Sequence, residues 1–291
     1  MKWFYTFLSI ILFICALLII NRLIEKKYFL PKIIWFYWDT EIPLLIQQIK
    51  DYNRRALEGW DIRFLNEKTL GDYIKPWDFP TGYDTLIPQH KADWIRAFLL
   101  SRHGGCWCDA SIILNSKKAI NDLWEESIQT QSEFTGFYTY YTENKLVKGI
   151  PTNIENWFFM VPQNSRIMRL WYEEYTGAIK EGFVTYRNRI LKEGINLDYY
   201  YSKGITDNVY FTQHFCMQAI LQRSKVIIPM ILKSSGDTMF KLHKECKEEE
   251  KVRTYVMNLF LHNPSYVRKI PYVKLTRYER ETGIDISPYF K

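Results

Sequence analysis

Charged residues are absent from Trp3 to Ile20, and from Ile33 onward short apolar runs alternate with stretches of helical period. The run Ile33-Ile34-Trp35-Phe36-Tyr37-Trp38 after Pro31 predicts a buried first strand. Pro43 to Arg55 has a helical pattern, and Trp60 to Leu65 predicts a second strand. Pro88 opens a helix that places Ala92, Ile95 and Leu99 on one face, carries basic residues in its last turn and ends at Gly104-Gly105. Cys106-Trp107-Cys108 is then a strand ending at Asp109, and Ile112–Leu114 resumes an apolar run. Further strands are predicted at Phe134–Tyr138 and Trp157–Val161. Helices are predicted at Ser165–Ile179 and Asp207–Gln222, with Ser165 and Asp207 as N-caps. Strands alternating with helices make this an α/β layered domain with a largely parallel sheet. Functional residues then belong beyond the carboxyl ends of strands, where Asp109 stands.

The uncharged run WFYTFLSIILFICALLII spans about 27 Å as a helix, close to the ~30 Å of a bilayer's hydrocarbon core. No small-residue cleavage site follows it, and bulky Ile14 before Cys15 makes a poor lipoprotein site, so an uncleaved single-span anchor is expected. With no repeat or long linker after it, residues 1–27 form the anchor and 28–291 one domain. Orientation stays open: Arg22, Lys26, Lys27 and Lys32 on the carboxyl side favour a cytoplasmic domain, and a lumenal one needs the reverse.

Composition narrows this little. At 291 residues, 47% hydrophobic and 24% charged, the chain is an ordinary globular mix, which excludes disorder. The 17% aromatic share suits carbohydrate or nucleotide sites as well as cores. Of the net charge of +7, Lys2, Arg22, Lys26 and Lys27 against Glu25 place +3 in the anchor segment. The remaining +4 suits an anionic ligand without demanding nucleic acid, for which no motif is present. Cys106 and Cys108 share a strand face, and without a second pair they read as small buried residues rather than zinc ligands.

The informative segment is His90 to Leu114, HKADWIRAFLLSRHGGCWCDASIIL. Asp93 and Arg96 share a helix face, and the Gly-Gly turn can return Asp109 toward it. A carboxylate, a guanidinium, a second carboxylate and the Ser111 hydroxyl suit a nucleotide diphosphate with a divalent cation. Hard oxygens match such a cation, and arginine's fork matches phosphate. A solvated i,i+3 pair followed by a turn explains the same residues blandly.

Asp93-Trp-Ile-Arg96 and Gly104-Gly-Cys-Trp-Cys-Asp109-Ala-Ser111 resemble the "S-D-x-x-R … G-G-x-W-x-D-A-T" segment of the capsular polysaccharide synthesis proteins. These are relatives of the DXD-containing sugar transferases and are similar to glycosyltransferase family 32. Pro31-Lys-Ile-Ile-Trp-Phe-Tyr-Trp38, Glu155-Asn-Trp-Phe158 and Lys274-Leu-Thr276 are similar to three further family stretches, so the resemblance runs from about residue 30 to 277. It implies a GT-A type, Rossmann-like domain that transfers a sugar from a nucleotide-sugar donor to a carbohydrate acceptor, with anomeric configuration retained. Carried over by position, Asp93, Arg96 and Asp109 are the catalytic and donor-contacting residues, and Asp109 and Ser111 hold Mn²⁺ or Mg²⁺. Trp38 is a candidate for stacking on the base, and Asn156 for reaching the metal or sugar. Trp38 and Trp107 read equally as core, and His214 as a base or a satisfied core histidine. Ser111 departs from the two-acid pattern, which weakens the metal requirement. It also leaves a rival reading, a membrane-tethered binding protein without catalysis.

Overall fold

The computed structural model describes residues 28–139, 146–147, 149–151, 153–202, 209–224 and 228–291. The expected anchor at residues 3–20 lies outside them. No helix among the described residues is long and apolar enough to cross a membrane.

Strands β1 (Ile33–Tyr37), β2 (Asp61–Leu65), β3 (Gly105–Cys108), β5 (Phe134–Tyr138), β8 (Ile154–Val161) and β9 (Met230–Ser234) form one sheet in the order β2-β1-β3-β8-β5-β9. Pairing is parallel throughout except at β8, which runs antiparallel to both neighbours. The strand expected at 157–161 thus begins three residues earlier and points the other way. Its amino end therefore lies on the same sheet edge as the carboxyl ends of β1 and β3.

Both faces of the sheet are covered, which is why β1 and β3 are apolar at successive positions rather than alternate ones. Trp35, Tyr37 and Trp107 face one cluster, and Ile34, Phe36, Cys106 and Cys108 face the other. Helix α1 (Leu44–Ala56) follows β1. Helix α2 (Pro88–His103) precedes β3 and contacts α4 (Arg166–Glu181) across the first cluster, while α3 (Lys117–Gln129) closes the second. Ser165 caps α4 as expected, its hydroxyl accepting from the Met168 amide at 3.2 Å. After α5 (Phe183–Lys192) and α6 (Asp198–Ser202) comes α7 (Thr212–Arg223). It starts later than residue 207, behind a 3₁₀ turn at Val209–Phe211, and Asp207 itself lies outside the described residues.

Helix α2 departs from the one-faced pattern. Every residue from Asp93 to Leu100 is buried, including Asp93 and Arg96. Trp94 and Phe98 pack on Tyr172 of α4, so the face opposite the sheet is covered too. The Gly104-Gly105 turn out of α2 has positive φ at both residues. A Cβ at Gly104 would stand 2.6 Å from the Gln163 amide nitrogen, and one at Gly105 would stand 2.8 Å from the Ile33 carbonyl. Only glycine fits there, and the turn fixes how α2 and β3 face each other.

Beyond Asp109 the chain leaves the main sheet. Strand β4 (Ile112–Leu114) pairs antiparallel with β10 (Tyr272–Lys274), in register Lys274 to Ile112. The Leu275 amide donates to the Ser111 carbonyl at 3.1 Å. A third apolar cluster lies beneath this ribbon. The short strands β6 (Leu146–Val147) and β7 (Ile150–Pro151) make a separate hairpin.

Candidate functional site

Strand order reverses between β1 and β3, and in open α/β sheets the crevice outside such a reversal is where ligands sit. Trp38 follows β1, Asp109 follows β3, and Glu155 and Asn156 open β8 from the same edge. The Asp109 amide donates to the Trp157 carbonyl at 2.8 Å, which ties the two strands there.

Asp93, Arg96 and Asp109 do come together. Arg96 reaches Asp93 Oδ1 through Nη1 at 2.8 Å and Asp109 Oδ1 through Nη2 at 3.3 Å. Its guanidinium lies over the Trp107 ring, 5.1 Å from the centroid, and the Trp107 indole donates to Asp109 Oδ1 at 3.0 Å. Asn156 donates to Asp93 Oδ1 and to Gln213 Oε1, which also accepts from Arg96. Gln213 Nε2 closes the ring by donating to the Asp93 carbonyl at 2.6 Å. On the far side of Asp93, His90 Nδ1 lies 3.4 Å and the Tyr175 hydroxyl 3.5 Å from Oδ2.

Lys274 completes the set, with Nζ 2.9 Å from Asp109 Oδ2. Side-chain exposure runs 8% at Asp93, 6% at Arg96, 12% at Lys274 and 28% at Asp109, so the network opens to solvent at Asp109. Burial alone would raise the Asp109 carboxyl, but Lys274 and Arg96, with hydrogen bonds from Lys274 and Trp107, hold it below the usual carboxylate range. Glu155 goes the other way. Burial lifts it to about 7, against hydrogen bonds from Trp157 and Thr139 and the charge of Lys274.

Trp38 is half-buried, its indole N–H has no partner among the described residues, and the Arg280 guanidinium lies 5.5 Å from its ring centroid. That arrangement leaves it able to stack on a planar ligand. Trp107 is core, yet its N–H serves the site. Asn156 meets Asp93 and Gln213. His214 is a buried histidine packed on Tyr200 and Phe211, and among the described residues its Nδ1 has no partner. Burial pushes its pKa down to about 4, with Asp93 opposing and Arg96 adding, so the ring is neutral at neutral pH. Cys106 and Cys108 are free thiols whose pKa burial raises, as small core residues should be. Sequence reasoning gave no role to Lys274, Gln213, His90 or Tyr175. Lys274 alone had a signal, its place in the Lys-Leu-Thr stretch.

The residues assigned to a divalent cation do not match one. Both Asp109 oxygens already accept from cationic side chains, and Ser111 contributes no charge. Among the described residues no three His, Cys, Asp or Glu side chains converge.

Fold and site together define a mixed α/β protein with a central sheet and a network of carboxylate and cationic side chains at its strand ends. The sequence profile of the capsular polysaccharide synthesis protein family matches residues 16–182, more than half of the chain, and the chain belongs to that family. It is also similar to the O-glycosyltransferase PaGT of Phomopsis amygdali, 24% identical over 161 residues, which are 50% of this chain and 38% of that protein. The chain thus spans well under half the length of that curated relative. Among solved structures it overlaps a glycosyltransferase involved in the glycosylation of the major capsid of PBCV-1, at 10% identity and a TM-score of 0.43, covering 89% of this chain and 98% of that one. It overlaps the galactosyltransferase LgtC in complex with donor and acceptor sugar analogs at 9% identity and a TM-score of 0.42, covering 89% and 94%.

Proposed function

We propose that the chain is a GT-A type glycosyltransferase that moves a sugar from a nucleotide diphosphate donor to a carbohydrate hydroxyl, with configuration retained as the resemblance implies. The observation that carries this reading is the continuous ion network Asp93–Arg96–Asp109–Lys274, which opens to solvent at the strand-order reversal. Family membership and the similarity to a glycosyltransferase support it. Breaking the glycosidic bond puts negative charge on the leaving diphosphate. Arg96 and Lys274 are already fixed by partners before that charge develops, which is the preorganisation such a step needs. Asp93 holds Arg96 in place, and Trp38 offers a face to the base.

The test is donor turnover by the full chain in detergent across a panel of nucleotide sugars. Asp109→Asn should lower kcat/KM by about a hundredfold or more. It also leaves Arg96 and Lys274 without their shared carboxylate, so the melting temperature should fall as well, and the rate is compared at a temperature where a melt shows the variant folded. A wild-type rate from that variant overturns the site assignment. The rival reading, a tethered binder, rests on neutral Ser111 and predicts binding without any release of sugar. Residues 3–20 are proposed to tether the enzyme to a membrane, with the domain on either side. Release of the full chain by carbonate washing removes that part.

A further inference from the structure

We propose that Lys274 stands in for a divalent cation, so that this protein binds nucleoside diphosphates through its own cations and without a metal. The inference rests on the nucleotide-sugar reading above and narrows how that site recognises its donor.

Three observations carry it. The first is the donor set at Asp109. Oδ2 faces Lys274 Nζ at 2.9 Å, while Oδ1 accepts from Arg96 and the Trp107 indole. A hard divalent cation sits about 2.0–2.6 Å from carboxylate oxygen, so entering at Oδ2 would place it against the ammonium group. Two positive centres at that separation repel strongly in a half-buried site.

The second is that Lys274 is not a loose surface side chain. Its backbone is pinned in β10 by the antiparallel register to Ile112 and by donation from its amide to the Met239 carbonyl at 3.1 Å. Its ammonium lies 5.3 Å from the centroid of the Trp157 ring, and the side chain is 12% exposed. A lysine held at both ends is a preorganised charge, and an ammonium is an ordinary phosphate ligand.

The third is the charge balance. Arg96 and Lys274 face Asp93 and Asp109, and Arg280 lies near enough to Asp109 to feel its charge. The neighbouring Glu155 is kept largely protonated below about pH 7. Arg280 is held half-buried over Trp38 by its bond to the Thr276 carbonyl at 3.2 Å. Ser111, in the place of a second acid, adds no negative charge. A metal cage needs an excess of anions, whereas here three cations stand against two carboxylates while Glu155 is protonated. A diphosphate offers the matching charge. On binding, its oxygens take the free N–H directions of Lys274 and Arg280, and Asp109 remains the anchor that keeps Lys274 extended.

Calorimetric titration of the full chain with uridine and guanosine diphosphates, first in excess chelator and then with Mn²⁺, tests this. At least one nucleotide should bind in chelator, with an affinity that Mn²⁺ changes by less than about threefold. Mn²⁺ alone should show no saturable binding. Lys274→Met should weaken nucleotide binding in chelator by about tenfold or more, the loss expected for one charge-assisted contact, and Lys274→Arg should restore most of it. Thermal melts of both variants separate lost binding from lost folding. Binding that is absent in chelator and appears with Mn²⁺ overturns the inference while leaving the transferase reading intact. If no nucleotide binds in either condition, the nucleotide-sugar reading falls as well. If Lys274→Met binds like wild type, the lysine serves only the fold.

Discussion

Replacing Arg96 with alanine is expected to destabilise the protein by about 3–5 kcal/mol, the range seen when one partner of a buried ion pair is removed. The physical reason is what the change leaves behind. Asp93, 8% exposed, would keep its negative charge with only an amide N–H from Asn156, a contact to His90 and the distant Tyr175 hydroxyl to answer it. Gln213 Oε1 would lose its guanidinium donor, and the Trp107 ring its overlying cation. Arg96→Lys retains the charge but not the fork, and an ammonium cannot span Asp93, Asp109 and Gln213 at once. It should cost clearly less stability than alanine while lowering turnover by about a hundredfold. Denaturant titration of the three proteins at neutral pH decides the first part. An alanine penalty under about 1 kcal/mol would mean that the pair behaves as a solvated surface bridge.

A second large effect should appear at Glu155, and it reverses the usual direction for a carboxyl group. The residue is 9% exposed, and its pKa stands at about 7 against 4.5 for a free glutamate. The folded state therefore prefers the protonated form. The stability this gives is fully present below pH 4.5, declines as pH rises, and is lost once pH passes about 7. The separation corresponds to roughly 3 kcal/mol. Glu155→Gln mimics the protonated acid and can still accept from the Trp157 indole, now 2.8 Å from Oε2. It should be more stable than wild type by up to roughly that amount at pH 8, and indistinguishable at pH 4.5. Melting both proteins at the two pH values tests this. A gap that does not widen with pH would mean that Glu155 titrates as an ordinary carboxylate.

Much of the frame was legible because its signals are local. The run from Ile33 to Tyr37 is apolar at every position since both sheet faces are covered, and that reads directly as a buried strand. Pro88 at one end and Gly104-Gly105 at the other bracket α2, and Asp109 falls at a strand's carboxyl end as the alternating pattern requires. What stayed illegible depends on distant partners. Nothing in Ile154–Val161 reveals its direction, which its neighbours β3 and β5 set. Ile112–Leu114 looks like any short strand, and its departure from the main sheet depends on Tyr272–Lys274, some 160 residues later. Arg96 was legible as a donor-contacting residue only through the family resemblance. From the pattern alone a solvated surface pair explained it as well, because the pattern showed one apolar face, whereas α4 buries the other. Gln213 carried no signal at all, since an isolated glutamine acquires its role only when α7 brings it under Asp93.

The pairing of β10 with β4 also orders events on the ribosome. Asp109 and its Lys274 partner are 165 positions apart in sequence, so the carboxylate leaves the exit tunnel long before its counter-ion. At about 5–20 residues per second, that interval lasts roughly 8–33 seconds. Sheet strands from β1 to β9 can all assemble within it, while the acid at the site waits with Arg96 and the Trp107 indole but without Lys274 beside it. Strand β10 is then the one that finishes the ligand site, and a chain terminated upstream of residue 272 would possess the scaffold but not the charge that completes it.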